Sequence, residues 1–253
     1  MCRLLSQAAT PIEQRFVNDL KRSIEMTDKQ EARKPSANYR PSAMKCERSM
    51  FYQRMGVGPE SESNACLVGI CESGTDRHAR IQEAVSKMIV NGINCEYLDV
   101  AEYIKSRELP LQIVAKQGYE TKLYDEKRHI SFLCDGIIRY DNKYYILEIK
   151  TESIYKWVSR KDVAEEHRMQ ATAYSLLFNI PDVIFLYINR DNCDMKAFMF
   201  TPTSEELDGL DKKIEHCERC LQNKVLPDKI LDDSACRYCG YRRLCDSNTL
   251  GMF

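Results

Sequence analysis

The chain lacks a surplus of either charge. Its 253 residues carry 37 lysines and arginines against 38 aspartates and glutamates, a formal net charge of −1. No global basic signal announces nucleic acid, so any track for a polyanion must be a local patch. No apolar run approaches the length of a membrane span, and the opening residues, MCRLLSQAAT, lack a signal-peptide core. No internal repeat or low-complexity tract is present. What is plentiful is cysteine, with twelve residues. Without a secretion signal they point to a reducing, cytoplasmic compartment, where clustered thiols bind metal more often than they form disulfides. The length suffices for a full core, as one large domain or a domain with an appendage.

The stretch that organises the chain is HISFLCDGIIRYDNKYYILEIKTE, residues 129–152. It reads as two β-strands joined by a tight turn at Asp141-Asn142, a pair that tolerates left-handed backbone. Tyr140 then faces Lys143, and Asp135 lands opposite Glu148. Side chains alternate with period 2, so Lys150 shares the face of Glu148. One sheet face is expected to carry Asp135, Glu148 and Lys150 among Leu133, Ile137 and Ile146. Two opposed carboxylates repel unless a cation sits between them, and Mg²⁺ or Mn²⁺ suits such an oxygen-rich arrangement. A neighbouring Lys can orient a water or offset an extra negative charge, which is the equipment for metal-assisted phosphodiester hydrolysis. The competing reading is a solvated polar face. The interleaved apolar residues weigh against it, because unpaired charges are rarely buried.

Thr10-Pro11-Ile12-Glu13 forms a capping box for a helix over 11–29, followed by a linker to 41. Ser42 caps a second helix, closed by Gly56 and holding Cys46 in its first turns. Residues 57–73 read as loop, with Cys66 and Cys71 as packed thiols. Thr75 opens a third helix that ends at Asn91-Gly92, with Ala84, Val85, Met88 and Ile89 as its buried stripe. His78 and Gln82 lie one turn apart on one side of it. A short helix over 99–108 precedes strands at 111–115 and 119–125. Beyond the hairpin come a long helix over 160–179 with Gln170 and Tyr174 at i,i+4, a buried strand over 182–190, and the strand MKAFMFT. A capping box at Thr203–Glu206 opens a helix to about 222, with Leu207, Leu210, Ile214, Cys217 and Leu221 as its apolar stripe. The expected architecture is an α/β core with helices on a mixed sheet. The expected organisation is an N-terminal helix and linker (1–41), a cluster region (42–74), a central core (75–202) and a C-terminal helix with a cysteine region (203–253).

His78, Asp135, Glu148-Ile149-Lys150 and Gln170-x-x-x-Tyr174 resemble, in this order and spacing, the motifs of the RecB-type branch of the PD-(D/E)xK nucleases. Cys46 upstream, with Cys236, Cys239 and Cys245 downstream, is similar to the iron–sulfur subgroup, which includes CRISPR-associated exonucleases and the AddB nuclease domain. Cys134 stands where the superfamily name has Pro. The resemblance implies a restriction-endonuclease-like core. It also implies that His78, Asp135, Glu148 and the Ile149 carbonyl bind Mn²⁺ or Mg²⁺. Lys150 would position the attacking water, and Gln170 and Tyr174 would hold the DNA backbone or the Lys side chain. An imidazole ligand favours Mn²⁺ more than an all-oxygen site would.

Two cysteine sets compete. Cys217-x₂-Cys220-x₁₅-Cys236-x₂-Cys239 has zinc-ribbon spacing, but Cys217 and Cys220 fall within a well-capped helix. Cys46, Cys236, Cys239 and Cys245 offer four thiolates, enough for the 4Fe–4S cluster that the resemblance implies. Cys2, Cys66, Cys71, Cys95, Cys134 and Cys193 read as ordinary packed or surface thiols. Two function classes stay open. One is a metal-dependent DNA exonuclease acting at single-stranded ends, from a phage or a CRISPR neighbourhood. The other is a DNA-end-binding or assembly module beside a partner such as an integrase or helicase, with zinc in place of iron and sulfur.

Overall fold

The computed structural model describes residues 11–31, 35–60, 64–230, 236–237, 239–248 and 250. Thr10 and Cys2 lie outside the described residues. The chain divides into two compact units, one drawn from 1–34 and 61–73, the other from 35–60 and 74–253. The first holds α1 (Ile12–Glu31) and the opening turns of α3 (Ala65–Ser86). There the Glu25 carboxylate accepts a hydrogen bond from the Ala65 backbone N–H at 3.1 Å.

The larger unit is built around the hairpin. β5 (Gly136–Tyr140) pairs antiparallel with β6 (Lys143–Glu152), Tyr140 facing Lys143 as the turn chemistry predicts. Asp141 and Asn142 take φ values of 45° and 65°, the left-handed pair that a two-residue hairpin turn requires. β1 (Cys95–Leu98) adds to the other side of β5. β7 (Val183–Asn189) runs parallel to β6, and β8 (Met195–Phe200) closes the order β1-β5-β6-β7-β8. The parallel β6–β7 step needs a crossover, made by α5 (Ile154–Ser159) and α6 (Glu165–Phe178).

Alternation sorts the hairpin residues between two layers. Ile137 and Ile146 join the large core, with Ala171, Tyr174 and Phe178 of α6 and with Leu210, Ile214 and Cys217 of α7 (Ser204–Gln222). Leu147 and Ile149 form a smaller cluster on which Ile81 and Val85 of α3 pack, with Met88 from the turn that follows it. The result is a five-stranded mixed sheet flanked by helices. Among the described residues no helix is long and apolar enough to cross a membrane.

Several expectations are corrected. The first hairpin arm is two strands. β4 (Ile130–Cys134) belongs to a separate antiparallel sheet with β2 (Gln112–Gln117) and β3 (Glu120–Asp125). The chain changes sheets at Asp135, whose carbonyl is taken by side chains, Tyr97 Oη and Gln82 Nε2. Leu133 therefore leaves the carboxylate face and is 43% exposed. The loop expected through residue 73 is helical from Ala65, because Asn64 Oδ1 accepts from the N–H groups of Cys66 and Leu67. Cys66 and Cys71 are exposed, not packed. The helix expected to end at Asn91-Gly92 stops at Ser86; its inner stripe is Ile81, Gln82 and Val85, Met88 packs from the turn beyond it, and Ala84 and Ile89 are exposed. The long helix expected from 160 starts only at Glu165 as α6; Arg160 is extended backbone that ends a separate short helix, α5. Cys46 is the N-cap of α2 (Glu47–Arg54), outside its first turn.

Candidate functional site

Asp135 sits at the joint of the two sheets, and a glutamate opposes it from each. The β5–β6 register places Gly136 against Leu147, so Glu148 neighbours Asp135. The β3–β4 register places Thr121 against Cys134, so Glu120 neighbours it too. Asp135 is only 7% exposed. Its Oδ2 accepts the Ile149 backbone N–H at 2.7 Å, and its Oδ1 lies 3.2 Å from His78 Nδ1. Behind it, Tyr97 Oη and Gln82 Nε2 donate to the Asp135 carbonyl at 2.5 and 2.7 Å. His78 and Gln82, one helical turn apart on α3, thus hold the same residue by different atoms.

Glu148 is 3% exposed. Its Oε1 accepts from Lys150 Nζ at 2.6 Å and from Gln170 Nε2 at 2.7 Å. Gln170 Oε1 accepts from Lys150 Nζ at 3.1 Å. Gln170 Nε2 also reaches Tyr174 Oη at 2.8 Å, and that hydroxyl donates to the Leu133 carbonyl at 2.9 Å. The i,i+4 pair on α6 therefore forms one chain of bonds from Lys150 to the end of β4. An ammonium has three donors, and this network uses two of those on Lys150.

The electrostatics follow from burial and crowding. Burial and the Asp135 charge push the Glu148 carboxyl up to about 7, with Lys150 pulling it back. Burial disfavours the charged His78 ring. The Asp135 hydrogen bond, with the Asp135 and Glu148 charges, nevertheless carries its pKa above the ordinary value. Burial, then the Asp135 charge, raises the Glu120 carboxyl. Burial and the Glu148 charge hold the Tyr174 phenol far above its usual range, so it stays a neutral donor. Three carboxylates crowded in low dielectric, with one imidazole and one ammonium, favour a cation among them. Single ligand atoms of His78, Glu120 and Asp135 all lie within 4.8 Å of one another. The donor set fits a divalent ion such as Mn²⁺ or Mg²⁺.

The sequence reading names His78, Asp135, Glu148, Ile149, Lys150, Gln170 and Tyr174, and all seven converge here. For Ile149 the contact is its N–H to Asp135. Glu120 was missed. The signal was present, because applying the same hairpin arithmetic to residues 120–134 sets Glu120 beside Asp135.

The cysteines assemble elsewhere. Cys46, Cys236, Cys239 and Cys245 line one cavity together with Arg48, Tyr52, Tyr241 and Arg242. Arg48 donates to the carbonyls of Pro227 and Cys245 at 2.7 and 3.0 Å and approaches Cys245 Sγ at 3.7 Å. Cys217 and Cys220 do not line this cavity. Cys217 is fully buried on α7 against the Glu47 carbonyl, and Cys220 faces His216 Nε2 at 3.6 Å. The four thiols of the zinc-ribbon spacing are therefore not brought together. Among the described residues, the cavity thiols also do not close to the separation that a single ion requires.

No protein-family model matches the chain, and no curated protein matches it. Its structure is similar to the crystal structure of SSO0001, with a TM-score of 0.51 and 19% identity, over 93% of this chain and 98% of that one. That likeness concerns the fold. Weaker matches are the alkaline exonuclease LHK-Exo from Laribacter hongkongensis (TM-score 0.44, 10% identity, 75% of this chain and 90% of that one) and LHK-Exo in complex with dAMP (TM-score 0.43, 10% identity, 74% and 89%).

Proposed function

We propose that the protein is a metal-dependent deoxyribonuclease, an exonuclease that hydrolyses phosphodiester bonds at single-stranded DNA ends. The observation that carries this reading is the position of Lys150. Its ammonium is fixed between Glu148 and Gln170, beside a carboxylate and imidazole pair, with one donor to spare. A binding module has no need of that arrangement. In this reading His78, Asp135 and Glu148, with the Ile149 carbonyl, hold Mn²⁺ or Mg²⁺. When bound, the ion would supply an activated water and charge neutralisation at the scissile phosphate. Lys150 orients the water and offsets the charge that develops in the transition state. Gln170 and Tyr174 keep Lys150 aimed, so the nucleophile meets the phosphate in line.

The cavity of Cys46, Cys236, Cys239 and Cys245 is read as the seat of a 4Fe–4S cluster. Four thiolates lining one cavity meet its ligand count. Arg48 and Arg242 at the same wall offset the thiolate charge. The cluster region expected over 42–74 and 203–253 narrows in this reading to residues 42–60 and those from 203 onward, since 61–73 belong to the other compact unit.

The test is cleavage of end-labelled single- and double-stranded DNA with Mn²⁺, Mg²⁺ or Ca²⁺, beside iron analysis of protein purified without oxygen. Nucleotide release from single strands with Mn²⁺ or Mg²⁺, and about four irons per chain, are expected. DNA left intact under every metal condition overturns the nuclease. Colourless protein with one zinc overturns the cluster alone.

A further inference from the structure

We propose that Glu120 is a ligand of the divalent ion, so that the small β2-β3-β4 sheet supplies a carboxylate to the centre built on the large one. The inference rests on the metal-dependent reading above and adds a residue that neither the hairpin nor the motif spacing contains.

Register carries the argument first. Asp135 is where the chain passes from one sheet to the other, and Glu120 and Glu148 are its neighbours across the two ladders. A carboxylate opposed to another across a ladder is destabilising unless something positive lies between them. Glu148 has that counter-charge in Lys150 at 2.6 Å. Among the described residues Glu120 has no lysine or arginine ion pair; the Asp135 charge repels it and the His78 charge only partly offsets that.

Geometry carries it second. Ligand atoms of His78, Glu120 and Asp135 lie within 4.8 Å of one another. Bonds of about 2.0–2.2 Å to a shared ion set adjacent ligand atoms about 3 Å apart and opposite ones about 4.4 Å apart at most, so small side-chain adjustments would bring these three onto one ion. Asp135 divides its oxygens accordingly: Oδ2 is occupied by the Ile149 N–H, and Oδ1 faces His78. Glu148 Oε1 is held by Lys150 and Gln170. The position bounded by His78, Glu120 and Asp135 is therefore the one at which three donors already converge.

The experiment measures Mn²⁺ binding to the full chain without DNA, by the free-Mn²⁺ paramagnetic resonance signal and by calorimetry. Wild type, Glu120→Gln, Glu120→Asp and Glu148→Gln are compared, with melting in EDTA and in Mn²⁺. Glu120→Gln is expected to weaken Mn²⁺ binding at least about tenfold and to shrink the Mn²⁺-induced rise in melting temperature. In EDTA it should melt at or above the wild-type temperature, because a like-charge contact with Asp135 is gone. Glu120→Asp, which keeps the charge, should recover part of the affinity. Unchanged affinity in Glu120→Gln overturns the inference. So does a loss of affinity accompanied by lower melting in EDTA with no recovery in Glu120→Asp, which would mark a structural residue. A wild type that binds no Mn²⁺ also overturns it. DNA cleavage run in parallel separates the two claims. A wild type that binds Mn²⁺ through Glu120 but cuts no DNA keeps this inference and removes the nuclease. A wild type that cuts DNA while Glu120→Gln binds Mn²⁺ normally does the reverse.

Discussion

The carboxylate centre and the cysteine cavity are held together by different means. At the carboxylate centre, strand register and helix turns set each position. The polar atoms of Glu148, Lys150, Gln170 and Tyr174 bond to one another directly, and the Asp135 carboxylate takes the Ile149 N–H and lies beside His78. Register is strongly specified where a face is buried, so this centre is shaped by the fold before any ligand arrives. The cysteine cavity draws on residues from nearly opposite ends of the chain, Cys46 and Cys236–Cys245. Its walls are tied by a few contacts: Tyr52 stacked on Tyr241 at 5.4 Å, Tyr241 Oη donating to the Val57 carbonyl at 3.1 Å, and the bonds of Arg48. A bound cluster there would act as folding free energy. The difference teaches where each site is vulnerable. Damage to the first should remove chemistry and spare stability, and damage to the second should do the opposite.

The largest effect is expected from Lys150→Ala. Turnover should fall on the order of 10²–10³-fold, the usual consequence of removing one group that stabilises transition-state charge. Melting should shift by only a few degrees, because Glu148 keeps its bond from Gln170. Steady-state cleavage and a melting curve on the same preparation decide it. Near-wild-type turnover sinks the assignment, and gross unfolding erases the contrast between the two regions.

Cys46→Ser probes the other side of the contrast. If the proposed cluster fills the cavity, this change should bleach protein purified without oxygen and lower its melting temperature by roughly 10 °C, equivalent to a few kcal/mol in a chain of this size. Cys217→Ser, on the buried stripe of α7, should keep the colour. If Cys217 and not Cys46 controls metal content, the cavity has been misread and the carboxylate centre is untouched.

Much of the carboxylate centre was legible because it is local. Asp-Asn at 141–142 fixes the turn, the turn fixes the register, and alternation then places Glu148 and Lys150 on one face. What escaped was tertiary. The one local mark of the change of sheet at Asp135 is the glycine that follows it, Gly136, and it is easily overlooked because β-branched and aromatic residues continue on both sides. Glu120 escaped with it, because its place depends on a second hairpin pairing. The start of α3 was hidden by Gly69 and Gly74, which punctuate a sequence yet are carried by a helix that Asn64 caps. The cysteine quartet was named through resemblance and spacing. Its cavity depends on packing of α2 against the C-terminal segment, which no local pattern encodes.

A smaller effect would sharpen the account of how backbone register becomes side-chain geometry. A Cβ on Gly136 would lie 2.6 Å from the Tyr97 ring, closer than packed atoms allow. Gly136→Ala must therefore displace Tyr97 and its bond to the Asp135 carbonyl, leaving Gln82 as the remaining side-chain donor there. Cleavage should drop about tenfold, as expected for a misplaced catalytic group rather than a missing one. Cavity colour should be unchanged. Equal activity in Gly136→Ala and wild type would show that Asp135 is held without Tyr97.

The smallest effect concerns His167, three residues before Gln170 on α6, and tests how dry the ground beside the carboxylate centre is. The ring stacks on Phe185 and Tyr187 at 5.9 and 5.8 Å. The Tyr187 hydroxyl accepts the Ala164 N–H at 3.0 Å, which leaves its own proton to donate to His167 Nδ1 at 2.9 Å. That bond requires an unprotonated Nδ1, hence a neutral ring. Burial, followed by the Lys150 charge, lowers the His167 pKa to about 4 from the model-peptide value of 6.5. The unfolded chain therefore binds a proton between these two values that the folded chain does not. His167 contributes stability that is complete above about pH 6.5 and is lost as the pH falls toward 4. Within that window it should add a slope of up to about 1.4 kcal/mol per pH unit. Urea unfolding of wild type and His167→Gln at pH 7, 6 and 5 isolates this share from that of the carboxylates. The variant should be less stable at pH 7 and converge on the wild type as the pH falls. Parallel curves would mean that the ring takes up its proton in the folded protein, and that the space beside Lys150 is wetter than its packing implies.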